Sequence, residues 1–229
     1  MADTKKIVAV AGATGRAGRL IVKEALEKGY RVRALIVPAV DQPDLPDLKE
    51  PGVELAEGSL ESVASLEKVM DGADYMISAI GSKKPFSSKE NDNVDNRGNQ
   101  NLVRAAQAKG LKHVVVISSI GVGNSRNAIM WLYRVAMGPV LKAKEKSENF
   151  IRSCGIDYTI IRPGGYSLNP LPDEIAFGEG GKITGRITRE QIARVCVDAL
   201  TNPAMKNRTL EVVNGTSVKE DRRQFLIKL

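Results

Sequence analysis

Between residues 6 and 29 the chain passes from Lys6-Ile-Val-Ala-Val-Ala11 through Gly12-Ala-Thr-Gly15-Arg-Ala-Gly18 into an amphipathic stretch. The first run predicts a buried strand. The stretch from Arg16 to Lys28 carries apolar residues at Ala17, Leu20, Ile21, Ala25 and Leu26, the stripe of a helix, and Gly29 stops it. Glycine at every third position between a strand and a helix has a mechanical purpose. One glycine allows the tight turn, one lets a diphosphate approach the backbone, and one lets helix and strand pack closely. The opening of the helix then offers free N–H groups and a positive dipole end to phosphates. The segment therefore predicts a β-α-β unit that holds a dinucleotide through Gly12, Thr14, Gly15, Arg16, Ala17 and Gly18.

The rest of the chain repeats the alternation. Strands are predicted at 31–37, 53–56, 75–80, 113–118, 158–162 and 209–213. Helices are predicted at 62–70, 92–108, 140–153 and 189–200, with a terminal helix within 219–229. This order implies an α/β fold: a doubly wound, Rossmann-type parallel sheet of about seven strands with helices on both faces. No Gly/Ser-rich or Pro-rich linker divides residues 1–229, so one nucleotide-binding domain is expected. The Pro-rich 37–51 stretch reads as a loop. Segments 124–139 and 164–188 read as loops on the substrate side.

Composition narrows the function classes. Apolar residues make up 42% and charged residues 27% of the 229, which excludes a disordered chain. Two cysteines, Cys154 and Cys196, are too few for a disulfide framework and fit a reducing compartment. No apolar run spans a bilayer, and the six residues Ile7–Gly12 are too short for a signal h-region of about 7–15 residues. The expectation is a cytoplasmic protein. The net charge of +7 suits an anionic ligand, while the scatter of Lys and Arg argues against nucleic acid. An acid about 20 residues beyond the glycines would favour NAD. The 31–37 strand ends without one, and Arg16 and Arg33 suit a 2′-phosphate. NADP(H) is therefore favoured, with NAD(H) the alternative.

The glycine start, Val94-Asp95 to Asn101, Ser118-Ser119, and Tyr158-Thr-Ile-Ile-Arg-Pro-Gly164 together resemble the atypical short-chain dehydrogenase/reductases. Within them, Leu141 to Gly164 is most similar to the NmrA-like branch. The resemblance covers nearly the whole chain, through Thr188-Arg-Glu-Gln-Ile-Ala193. It implies cofactor contacts from Ser59-Leu60 near the adenine, from Ala79-Ile80-Gly81 beside the second ribose, and from Pro163 and Gly164 near the nicotinamide. Val37, where relatives often carry Arg, and Ser59, where they often carry Asp, depart from the pattern.

The family's reductases commonly use Tyr-x-x-x-Lys with a Ser, the Lys lowering the Tyr pKa and binding the ribose. Lys144 fits the Lys slot here, which puts Val140 in the Tyr slot, and valine cannot transfer a proton. Tyr166, following the Arg-Pro-Gly-Gly turn, and Ser118 or Ser119, at a strand's carboxyl end, are the candidates that remain. Tyr133 is read as packing in the apolar cluster 130–133, and His113 as structural. No His/Cys metal spacing occurs, and no Gly-x-Ser-x-Gly elbow. Cys154 and Cys196 read as inert.

The favoured reading is an NADP(H)-dependent oxidoreductase acting on a small conjugated or carbonyl acceptor, flavin- or quinone-like, which asks little of a protein acid. It predicts a pocket beside the nicotinamide, closed by 164–188. The alternative is a non-catalytic NADP(H) sensor or scaffold with a protein partner and an exposed apolar patch at 130–133. An isomerase or cyclase on the same fold is a third reading.

Overall fold

The computed structural model describes residues 5–38 and 46–229. Part of the Pro-rich 37–51 stretch thus lies outside the described residues. The chain runs β1 (Ile7–Ala11), α1 (Arg16–Glu27), β2 (Arg31–Ile36), β3 (Val53–Glu57), α2 (Val63–Met70) and β4 (Tyr75–Ser78). It continues through α3 (Ser88–Asn91), a π-helical turn (Asp92–Gly98), α4 (Asn99–Ala108), β5 (His113–Ile117), α5 (Trp131–Ala136), α6 (Gly138–Ser153) and β6 (Tyr158–Pro163). The last elements are β7 (Gly165–Tyr166), β8 (Ile175–Gly178), β9 (Arg186–Ile187), α7 (Arg189–Asp198) and β10 (Arg208–Asn214).

Eight strands form the main sheet in the order β3-β2-β1-β4-β5-β6-β10-β8. All neighbours are parallel except β8, which runs antiparallel to β10. The first six positions are the 3-2-1-4-5-6 order of a dinucleotide fold. The expectation of about seven parallel strands is met by seven, and β8 adds an antiparallel edge.

Strand side chains alternate between two cores. Val8, Val10, Ile77, Val115 and Ile161 pack with Ile21, Val22, Ile192 and Val195 of α1 and α7. Ala9, Ala11, Met76, Val114, Val116 and Ile160 pack on the other face with α2, α4 and α6 through Leu66, Val69, Leu102, Val103 and Ile151. Burial on both faces explains why these strands read as continuous apolar runs rather than alternating ones. Each buried Leu or Ile contributes about 1.5–3 kcal/mol.

Two predicted helices and one predicted loop differ from the observed structure. The 92–108 stretch begins earlier, at Ser88, and passes through the π turn before α4. The 219–229 segment is a 3-10 helix over Glu220–Phe225, after which Ile227 bridges to Phe177. The irregular 124–139 region contains α5, none of whose residues is buried.

Candidate functional site

The sheet order reverses direction between β1 and β4, so the strands' carboxyl ends part there and leave a crevice. The turn from β1 into α1 borders it. Gly12 has φ +79°, and a Cβ there would lie 2.8 Å from the Ala79 carbonyl. A Cβ on Gly18 would lie 1.9 Å from Gly12 O. Gly18 thus serves the close packing of the turn and is absent from the cavity wall. Gly15 donates its N–H to Gly12 O at 3.0 Å and then caps α1 with no side-chain hydrogen bond. The first turn of α1 therefore keeps its N–H groups available to a phosphate.

Two cavities share the β4 end, Ala79-Ile80-Gly81-Ser82. The smaller, about 150 Å³, is lined by Gly12, Thr14, Gly15, Leu35, Val37, Leu60 and Val94. The larger, about 540 Å³, is lined by Arg16, Ala17, Ser118, Ser119, Tyr133, Lys144, Pro163, Gly164, Tyr166 and Arg189. The two cavities stand side by side at the glycine turn and share this wall, the smaller one mainly apolar.

Two further predicted cofactor residues, Arg33 and Ser59, line neither cavity. Arg33 stands opposite Glu54 in the β2–β3 register, and its Nε donates to Glu54 at 3.0 Å. Its Nη1 donates to the carbonyls of Val69 and Asp71. Arg33 thus holds the sheet edge to the end of α2, and the 2′-phosphate role expected of it is not supported. Ser59 lies next to the small cavity but is spent locally: its Oγ accepts from Glu61 N and its N–H donates to Ser65 Oγ. Arg16, exposed at the first position of α1, has no carboxylate partner among the described residues.

Lys144 Nζ lies 2.8 Å from Asp95 Oδ1, with Asp95 fully buried and the lysine side chain 13% exposed. The second Asp95 oxygen accepts from Ser82 N at 3.1 Å. The π turn therefore couples the lysine to the β4 loop shared by both cavities. Ser118 Oγ donates to Glu148 Oε1 at 2.5 Å. The same carboxylate accepts from Arg162 Nε at 3.0 Å, from Arg162 Nη2 at 2.6 Å and from Arg152 at 3.1 Å. A carboxylate so held fixes the serine hydroxyl and leaves its lone pair for the cavity. Ser119 Oγ donates to Ile120 O at 2.9 Å. Glu211, across β6 from Glu148, is buried with its pKa raised by desolvation.

Val140 packs with Val122 and Leu141 and does not line either cavity. Tyr133 is the reverse of its expectation: it lines the larger cavity, and Met130, Trp131, Leu132 and Tyr133 are exposed rather than packed. Tyr166 also lines it. Its side chain is partly exposed, and desolvation against the cavity wall raises the phenol pKa, so it faces the cavity protonated. His113 lies at the opposite end of the sheet, where its Nε2 meets Thr159 Oγ1 at 2.9 Å. Cys196 is buried, and burial raises its thiol pKa, which keeps it protonated and unreactive.

A model of an NAD(P)H-binding family matches residues 12–203 of this chain. The chain belongs to this NAD(P)H-binding family. An uncharacterized chloroplastic protein of Arabidopsis thaliana is 33% identical over 92% of the chain and 77% of its own length. Sanguinarine reductase of Eschscholzia californica is 27% identical over 93% of this chain and 91% of its own. The chloroplastic protein TIC 62 of Pisum sativum is 28% identical, and there the chain spans only 43% of the relative's length. Among solved structures, the anaerobillin reductase ChuY of Escherichia coli superposes with a TM-score of 0.77 at 19% identity, covering 92% of this chain and 98% of that one. A short-chain dehydrogenase/reductase of Veillonella parvula in complex with NADP gives 0.75 at 15%, covering 93% and 97%. These two likenesses concern the fold. No helix among the described residues is long and apolar enough to cross a membrane.

Sequence reasoning missed Leu35, Ser82 and Val94 in the smaller lobe and Arg189 in the larger. It also gave no role to Asp95 or Glu148. Leu35 and Val94 look like ordinary core positions in sequence. Arg189 is brought in only by the pairing of β7 with β9.

Proposed function

We propose that this protein is an NADP(H)-dependent reductase of the NmrA-like branch, acting on a small conjugated acceptor of flavin or quinone type. The observation that carries the reading is the larger cavity. It places Ser118, Lys144, Pro163, Gly164 and Tyr166 beside the glycine turn, with about 540 Å³ of space. The first turn of α1 and Arg16 would hold the diphosphate and the 2′-phosphate, and Lys144, steadied by Asp95, the ribose hydroxyls. A bound nicotinamide supplies the hydride. Pro163 and Gly164 form the wall against which its ring would rest. Tyr166 is the protonated group on the acceptor side. With valine at position 140, acceptors whose own heteroatoms take up charge suit the site better than simple ketones.

A second reading, a nucleotide-dependent sensor, is favoured by one observation. Met130, Trp131, Leu132 and Val135 form an exposed apolar group beside the cavity mouth. The deciding experiment follows NADPH oxidation by stopped flow with FMN, a quinone and an aldehyde panel, alongside calorimetric titration of NADPH and NADH. Turnover of FMN or quinone supports the reductase. Tight NADPH binding with no turnover across the panel moves the weight to the sensor. Gly15→Asp sets a carboxylate before the phosphates and should abolish NADPH binding in a folded protein. Unchanged affinity would sink the phosphate-site assignment.

A further inference from the structure

Three cations line the larger lobe, and they are partnered differently. Lys144 is neutralised by Asp95, and Arg16 belongs to the glycine turn. Arg189 lies with its guanidinium carbon 4.3 Å from the centroid of the Tyr166 ring. Among the described residues no carboxylate pairs with it, although Arg194 farther along the same helix is held bidentately by Asp173. No Asp or Glu lines this lobe. The Tyr166 hydroxyl has no hydrogen-bond partner among the described residues either.

Stacking uses only the face of a guanidinium. It holds the plane and leaves the N–H edge available for two parallel bonds to a carboxylate or phosphate. The protonated phenol of Tyr166 lines the same lobe and is another donor. A cation left without an acid, in a cavity with no acid of its own, is arranged for an anion brought by a ligand.

We propose that Arg189, stacked on Tyr166, anchors an anionic group of the acceptor, so that this protein acts on conjugated molecules bearing a carboxylate or phosphate. The inference rests on reading the larger lobe as the acceptor site. Arg189 is then the specificity residue, and Tyr166 orients it.

The test compares pairs of ligands that differ in one charge. FMN and riboflavin differ by the phosphate, and anthraquinone-2-carboxylate and its methyl ester by the carboxylate. Each is titrated into the full chain with and without saturating NADP⁺, by fluorescence quenching or calorimetry. The expected result is at least tenfold tighter binding of the charged member of one pair. That preference should weaken with salt, fall below twofold in Arg189→Ala, and be partly kept in Arg189→Lys. The pair that responds tells phosphate from carboxylate. NADPH affinity should stay within twofold in Arg189→Ala. Equal affinities within both pairs, a preference that survives Arg189→Ala, no binding of any probe, or a tenfold loss of NADPH affinity in Arg189→Ala overturns the proposal. Failure of the reductase reading shows separately, as missing NADPH oxidation or missing NADP⁺ binding, and the binding preference is read independently of both.

Discussion

Arg16 and Arg33 belong to the same β-α-β unit, and only their surroundings tell them apart. In sequence both are guanidinium groups within reach of a phosphate. Which residue stands across from Arg33 is a matter of register, and the β2–β3 pairing puts Glu54 there. Charge-assisted hydrogen bonds contribute about 1.5–3 kcal/mol where they form. Arg16→Ala should therefore weaken NADPH binding at least tenfold. Arg33→Ala should leave the affinity within twofold and lower stability by about 1 kcal/mol, the range for a partly exposed pair. Calorimetry and urea unfolding of the two variants check this, and a large affinity loss in Arg33→Ala would return it to the cofactor site. The glycine turn was legible at this scale because its residues act through the backbone. Buried partners such as Glu148 were not, since a carboxylate in an amphipathic helix reads as solvated until the opposing Arg162 is known.

At the scale of elements, the predicted 92–108 helix shows what periodicity leaves out. Apolar spacing identifies the helical course but cannot register a π turn, which changes the facing of residues by a fraction of a turn. Here the turn from Asp92 to Gly98 brings the buried Asp95 between Lys144 of α6 and the β4 loop. The element thereby becomes part of the site. Removing one member of a buried ion pair typically costs about 3–5 kcal/mol, because the other charge is left uncompensated. Asp95→Asn keeps an acceptor for Ser82 N while stranding Lys144, so it should destabilise by about 3 kcal/mol. The double variant Asp95→Asn/Lys144→Met should recover most of that loss. Urea midpoints for the four members of this cycle provide the measurement, and additive losses would mean that the two groups do not interact. The short α5 escaped prediction for a different reason. Its six residues show no buried face, so there is no periodicity for packing to impose.

Over the whole molecule, the order of strands and helices was enough to read the parallel sheet and the end where ligands gather. The antiparallel β8 was hidden because four residues in a Gly- and Pro-rich stretch carry little pattern. The topology also separates the protein into two poles. Ser118, Lys144 and the glycine turn lie at the strands' carboxyl ends. His113 begins β5 at the amino ends, beside Tyr75 in register. It is the only histidine in the chain. Burial lowers its pKa to about 4 from 6.5, with Asp157 opposing and Lys206 adding to the shift. Thr159 donates its hydroxyl proton to Met205 O, so the ring's Nε2 is the donor to Thr159, and the lowered pKa keeps the imidazole neutral near pH 7. The unfolded chain takes up a proton near pH 6.5, whereas the folded chain resists until about pH 4. Stability from this group is thus complete above pH 6.5 and lost progressively as pH falls toward 4, by at most about 3 kcal/mol. The raised pKa of Glu211 works the other way, because the folded state takes up its proton first. Subtracting the profile of a His113→Asn variant isolates the histidine. The difference in urea-unfolding free energy between the two proteins should slope between pH 6.5 and 4.5, while the effect of pH on NADPH affinity is the same in both. A flat difference would mean that the imidazole titrates alike in both states, and a pH-dependent difference in affinity would tie the two poles together.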